Sequence, residues 1–172
     1  MDLQELIKFQ LQDKLKTWKL PQSVIAIDPG MTTGYCVFKY VGDSYDSMVY
    51  LLRSSGVIHV NKQTGWDPII DLIQSYYRNE PNSVVVCEDY KIYPNKQLEH
   101  VLSSVDTVRI IGAIEFMCHH DNVPLVKQMA SVHKGFVTDT KLKEWGLYKG
   151  INRHSRDAVK AAIYFILFNK EY

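Results

Sequence analysis

A chain of 172 residues, 46% hydrophobic and 23% charged, has the size and composition of one ordinary globular domain. No apolar run is long enough to span a bilayer, and Met1-Asp2-Leu3-Gln4-Glu5-Leu6 lacks the basic region and apolar core of a secretory signal. A net charge of +1 does not by itself announce a nucleic-acid binder, and Cys36, Cys87 and Cys118 have no metal-type spacing, which fits a reduced, intracellular chain.

Residues 2–17 read as an amphipathic helix with Leu3, Leu6, Ile7, Leu11 and Leu15 on one side, and Pro21 separates it from the first strand. Strands are expected at 23–28, 34–41 and 47–59, with Gly42-Asp43-Ser44 turning between the last two, as an antiparallel meander. Asp67-Pro68 opens a helix to about Arg78, with proline at a tolerated early position. A strand at 83–88 leads into a loop with Tyr90, Tyr93 and Pro94, and a long helix fits 96–121. Val123-Pro124-Leu125-Val126 reads as a short fifth strand, and the polar segment 129–153 holds one or two short helices. The last helix begins near Asn152 or Ser155, either of which can cap it, and runs to Phe168. The order β-β-β-α-β-α-β-α implies a mixed five-stranded α/β sheet with helices on its faces, plus an extra N-terminal helix, in a single domain.

The chemistry concentrates at three places. Val24-Ile25-Ala26-Ile27-Asp28-Pro29-Gly30 is an apolar strand ending in one carboxylate just before a turn. An aspartate there is costly to ionise unless something pairs with it, and a divalent cation is the usual relief. Ser83-Val84-Val85-Val86-Cys87-Glu88-Asp89-Tyr90 repeats the pattern, and strand alternation puts Glu88 and Asp89 on opposite faces. His154-Ser155-Arg156-Asp157 opens the last helix, and its His154 and Asp157, three apart, share a helix face. Carboxylates at the ends of regular elements can converge on one spot, and oxygen donors of this kind suit Mg²⁺ or Mn²⁺. Two such ions about 3.5–4 Å apart are a known device for in-line phosphodiester cleavage.

Charge is unevenly distributed. Residues 127–160 carry eight Lys/Arg against three acids, while 23–126 carry seven against twelve. The basic stretch, with Lys134, Lys141, Lys143, Arg153 and Arg156 beside His133, Phe136, Trp145 and Tyr148, would suit a DNA backbone. The plain alternative is a solvated loop and helix face.

The strand order, with Ile27-Asp28-Pro29-Gly30 and Thr33-Gly34, Val85-Val86-Cys87-Glu88, and His154-x-x-Asp157-Ala158, resembles the ribonuclease H-like nucleases. It resembles most closely the RuvC-type Holliday junction resolvases of bacteria and their phages. The resemblance runs from about Val24 to Phe168 and leaves the N-terminal helix outside. It implies a crossover junction endodeoxyribonuclease that nicks four-way junctions symmetrically in DNA recombination and repair, in a bacterial or phage-infected cytoplasm. Asp28, Glu88 and Asp157 would be metal-binding carboxylates holding two Mg²⁺ ions, with Mn²⁺ as substitute. His154, where many members carry a fourth acid and some a histidine, would bind metal, place water or protonate the leaving oxygen. The family's junction-inserting aromatic falls at Tyr90 or Tyr93, and its phosphate-holding lysines at Lys134, Lys141 or Lys143. The helix around 96–118, with Leu98, Val101, Leu102, Val105, Val108 and Gly112, would make the homodimer contact that gives two active sites.

Rival readings remain at this level. Asp-x-Gly-x-Thr also opens the phosphate site of actin-like ATPases, which need a second such domain and leave Glu88, His154 and Asp157 unexplained. Asp28 can be a turn cap, and Asp157 a helix-start residue favoured by the dipole. Other branched DNA or RNA–DNA hybrids, or a catalytically silent DNA-binding protein, would use the same fold. His119-His120-Asp121 reads as the polar end of an apolar helix, and His59, His100 and His133 have no assigned role.

Overall fold

The apolar runs at 23–28 and 83–89 become neighbouring parallel strands buried on both faces, as continuous runs of Val, Ile and Ala dictate. The computed structural model describes residues 1–11, 20–42, 49–90 and 101–168, without the side chains of 101–105. One sheet contains β1 (Ser23–Asp28), β2 (Thr32–Val41), β3 (Val49–His59), β4 (Ser83–Asp89) and β5 (Leu125–Met129) in the order β3-β2-β1-β4-β5. β1, β2 and β3 pair antiparallel, while β1–β4 and β4–β5 are parallel. The helices are α1 (Leu3–Leu11), α2 (Asp67–Asn79), α3 (Val101–His120), α4 (Ala130–Phe136), α5 (Asp139–Glu144) and α6 (Arg153–Phe168).

Strand alternation sorts the interior into two layers. Val24, Ala26, Cys36, Phe38, Val84 and Val86 face α1 and α6, joined by Val137 and Leu142. Ile25, Ile27, Val37, Val85 and Cys87 face Ile69 and Ile73 of α2 and Ile110, Ile114 and Met117 of α3. The amphipathic face of α1 is closed by Leu3, Ile7 and Leu11, and Gln4 exchanges hydrogen bonds with the Tyr50 backbone of β3. On α3, Val108, Gly112 and Phe116 are exposed, with Phe116 at 72%, next to a groove of about 610 Å³ lined by Trp66, Ile70 and Met117. Among the described residues, no helix is long and apolar enough to cross a membrane.

The fifth strand departs from the sequence reading, and two alternatives left open there are decided. The fifth strand starts at Leu125, because the Val123 N–H closes the end of α3 on the Cys118 carbonyl, after Asn122 takes a left-handed turn at φ 55°. The polar segment resolves into two helices, α4 and α5, the second capped by the Thr138 hydroxyl. Asn152, not Ser155, caps α6: its Oδ1 accepts from the His154 N–H, while the Ser155 hydroxyl donates to the Gly56 carbonyl of β3. The expected turn at 43–44, the C-terminal part of the first helix with Leu15, and Tyr93, Pro94 and Leu98 lie outside the described residues.

Candidate active site

Asp28 ends β1, and Glu88 stands one residue before the end of the adjacent parallel strand β4. The register runs Ala26 to Val86 and Ile27 to Cys87, so the next pair places the two carboxylates side by side at the C-terminal edge. Both continue the alternation of Val24–Ala26 and Val84–Val86, which face α6. That parity separates Glu88 from Asp89, whose Oδ1 instead takes the N–H of Tyr90. The turn after Asp28 is tied by Thr33, whose buried hydroxyl donates to the Gly30 carbonyl at 2.6 Å.

The third contributor is the first turn of α6. Asp28 pairs with Gly34 across β1–β2, and a Cβ on Gly34 would stand 2.1 Å from the His154 carbonyl carbon and 2.6 Å from the Ser155 nitrogen. Only glycine admits the helix start at that point of the sheet. The close approach sets His154 Nδ1 3.3 Å from Asp28 Oδ2 and brings Asp157 beside the two strand-end acids.

Two lysines hold the cluster. Lys134 Nζ on α4 lies 2.9 Å from Glu88 Oε2, 3.2 Å from Glu88 Oε1 and 3.1 Å from Asp157 Oδ2. Lys160 Nζ lies 3.0 Å from Asp157 Oδ1 and 2.7 Å from Asp139 on α5. His133 Nε2 sits 3.1 Å from Glu88 Oε2. These donors divide the carboxylates electrostatically. Burial would raise Glu88, but the His133 and Lys134 hydrogen bonds hold it below the usual range. Burial would likewise raise Asp157, but Lys160 and Lys134 hold it low. Asp28 is pushed up from 3.8 to about 6, first by burial and then by the charge of Glu88, with Asp157 adding to it against Lys134 and His154. Lys134 itself is held above its ordinary range: burial opposes this, and its hydrogen bond to Glu88 outweighs the burial.

The donor set fits a hard divalent cation: three part-buried carboxylates and an imidazole, with one acid raised by burial and then by the charge of its neighbours. The cage is not closed around a point. Among the described residues no group of three His, Cys, Asp or Glu stands at metal-holding spacing, and the Lys134 ammonium supplies the positive charge between Glu88 and Asp157.

The structure thus brings Asp28, Glu88, Asp157, His154 and Lys134 together. Of the other basic candidates, Lys143 and Arg156 share one ring: Lys143 Nζ and the Arg156 guanidinium lie 4.7 and 4.5 Å from the Tyr148 ring centre. Lys141 donates to the Phe136 carbonyl at 2.8 Å and sits over that ring, and Arg153 is exposed at the start of α6. Tyr90 packs against the α2–α3 side of the core. The sequence reading gave no site role to His133 or Lys160, and quoted Gly34 only as part of the first motif. Lys160 carried a signal, its i+3 spacing from Asp157. Nothing local marked His133 as facing Glu88.

No protein-family model matches the chain, and no curated protein matches it. Solved structures do. Thermus thermophilus RuvC in complex with a Holliday junction substrate superposes with TM-score 0.60 at 16% identity, over 82% of this chain and 90% of that one. A second Thermus thermophilus RuvC structure gives 0.55 at 19% identity, over 82% and 91%. The yeast mitochondrial Holliday junction resolvase Ydc2 gives 0.47 at 14%, over 94% and 88%. The fold is ribonuclease H-like: a mixed five-stranded sheet, antiparallel on one side and parallel on the other, flanked by helices. Within that class the fold is similar to that of RuvC, as the sequence motifs anticipate.

Proposed function

We propose that this chain is a metal-dependent endonuclease that resolves four-way DNA junctions by symmetric nicking. The observation that carries the reading is the convergence of Asp28, Glu88 and Asp157, with His154, at the C-terminal edge of two parallel strands. The likeness of the fold to a RuvC bound to a Holliday junction supports the substrate. Asp28, Glu88 and Asp157, with His154, would hold two Mg²⁺ ions, Mn²⁺ substituting. Such ions supply Lewis-acid stabilisation of the charge that develops on the scissile phosphate and the leaving 3′ oxygen.

The chain's own groups do the rest. His154, beside Asp28 and partly exposed, places water or passes a proton. Lys134, within reach of two carboxylates and 32% exposed, turns to a phosphate oxygen when the cluster is otherwise neutralised. Lys141, Lys143, Arg153 and Arg156 hold the flanking backbone, and Tyr90 or Tyr93 contacts the junction bases. The exposed row Val108, Gly112 and Phe116 on α3 pairs two copies, so that two sites make two cuts.

The test is a synthetic mobile four-way junction incubated with protein in Mg²⁺, Mn²⁺ or EDTA, beside duplex, fork and flap controls. Paired, metal-dependent nicks in the junction alone, leaving 5′ phosphates and ligatable ends, are expected. Cutting of flaps or hybrids instead would move the substrate, and tight junction binding without any cut would make the chain a silent binder. Asp28→Asn and Glu88→Gln should lose cleavage on the order of 10³-fold or more, several kcal/mol of lost charge stabilisation, while junction affinity persists.

A further inference from the structure

His133 is wholly buried, and its two ring nitrogens have different surroundings. Nε2 meets Glu88 Oε2 at 3.1 Å, whereas Nδ1 is enclosed with no hydrogen-bond partner among the described residues. An ionised carboxylate only accepts, so Nε2 carries the proton. A proton on Nδ1 would be a buried donor without an acceptor, which costs free energy, so Nδ1 is bare.

The neighbouring residue makes the contrast. Lys134 also holds Glu88, but through a flexible stem with a third of its side chain in solvent, and it shares its charge with Asp157. An arriving cation or phosphate displaces such a contact at little cost. His133 cannot swing out: α4 is packed on α6 and β5, and the ring is sealed beneath it.

We propose that His133 is a positioning residue for Glu88: its Nε2–H fixes the carboxylate's rotamer from inside the protein, whether or not Lys134 is engaged. Glu88 then presents its remaining lone pairs in one direction, and α4 links the end of β4 to the helix that carries Asp157. The inference rests on reading Glu88 as a metal ligand. Groups that orient a ligand in this way contribute on the order of 10–100-fold in metal affinity or activity.

Mn²⁺ binding, followed by paramagnetic resonance without DNA, tests it on the wild-type chain, H133F and H133Q, with thermal melting and junction cleavage beside it. H133F keeps a planar ring and removes the donor; H133Q restores a donor. Mn²⁺ affinity falling on the order of 10–100-fold in H133F and recovering in H133Q, with junction affinity in EDTA unchanged, is the expected result. H133F that binds Mn²⁺ and cuts like wild type would overturn the proposal. Should H133F not fold, ¹⁵N resonances of wild-type His133 decide. Protonated Nε2, with a shift that moves in Glu88→Gln, supports it; a proton on Nδ1, or no movement, overturns it. A wild-type chain that neither binds Mn²⁺ nor cuts any branched DNA removes the nuclease reading and the positioning role together. An active wild type with an indifferent H133F removes the positioning role alone.

Discussion

Asp28 and its two neighbouring acids respond to pH in opposite directions. Asp28, pushed up from 3.8 to about 6, binds its proton more tightly folded than unfolded. The stability it contributes is full below its unfolded value and is lost as pH rises through about 6. Glu88 and Asp157, held low, contribute stability that is present above their unfolded values and lost as pH falls through their folded ones. Thermal melts in EDTA between pH 4 and 7 separate the two. Asp28→Asn should become more stable relative to wild type as pH rises from about 4 to about 6, and flat beyond; a constant offset would mean that Asp28 ionises freely. The four acid and imidazole groups were legible in the sequence because each stands at the end of a strand or the start of a helix. His133 was not: a seven-residue helix in a polar segment has no period long enough to say which side chain turns inward.

At the scale of elements, the sheet and the last helix meet through missing atoms at Gly34. Gly34→Ala must push the His154–Ser155 backbone off β2, since a Cβ contact of 2.1 Å has no flexible side chain to yield. Overpacking of this kind costs about 3 kcal/mol and moves His154 and Asp157 away from Asp28. Calorimetry should show the stability loss, and Mg²⁺-dependent cleavage should fall further than in Ser75→Ala on the exposed face of α2. Removing the Asn152 cap is milder: Asn152→Ala should cost about 1 kcal/mol in chemical denaturation and loosen the turn that presents His154. The strands at 23–28 and 83–89 and the helix at 67–79 were readable from apolar runs and Asp-Pro. The start of β5 was not, because Val123 looks like strand by composition yet spends its N–H on α3.

On the scale of the molecule, α3 has two characters. Ile110, Ile114 and Met117 fill the core, and Val108 and Phe116 are left in solvent. An exposed phenylalanine in such a row is a candidate two-fold contact. Phe116→Glu should leave the melting curve nearly unchanged, since the side chain is 72% exposed, and convert the sedimenting species from dimer to monomer. Junction products should then shift from paired nicks to single ones. A wild type that sediments as a monomer would remove the pairing. The sequence stripe pointed to this helix, but which of its apolar residues stay outside depends on where α2 and β4 press against it, which only the folded chain reveals.

The acidic cluster draws on the first strand of the sheet and on α6, the last helix of the fold, which packs on β1, β2, β3 and β4. During synthesis, therefore, the sheet emerges long before two of the four groups exist in the polypeptide. Glu88 then has His133 and Lys134 beside it, but Asp28 waits without His154 and the cluster without Asp157, so the proposed cutting is switched on only when the α6 segment has left the ribosome and closed onto β2 at Gly34. A nascent chain stalled before Asn152 should be unable to cut DNA in the cell that makes it, and a frameshift anywhere ahead of α6 should abolish cutting as fully as an early one.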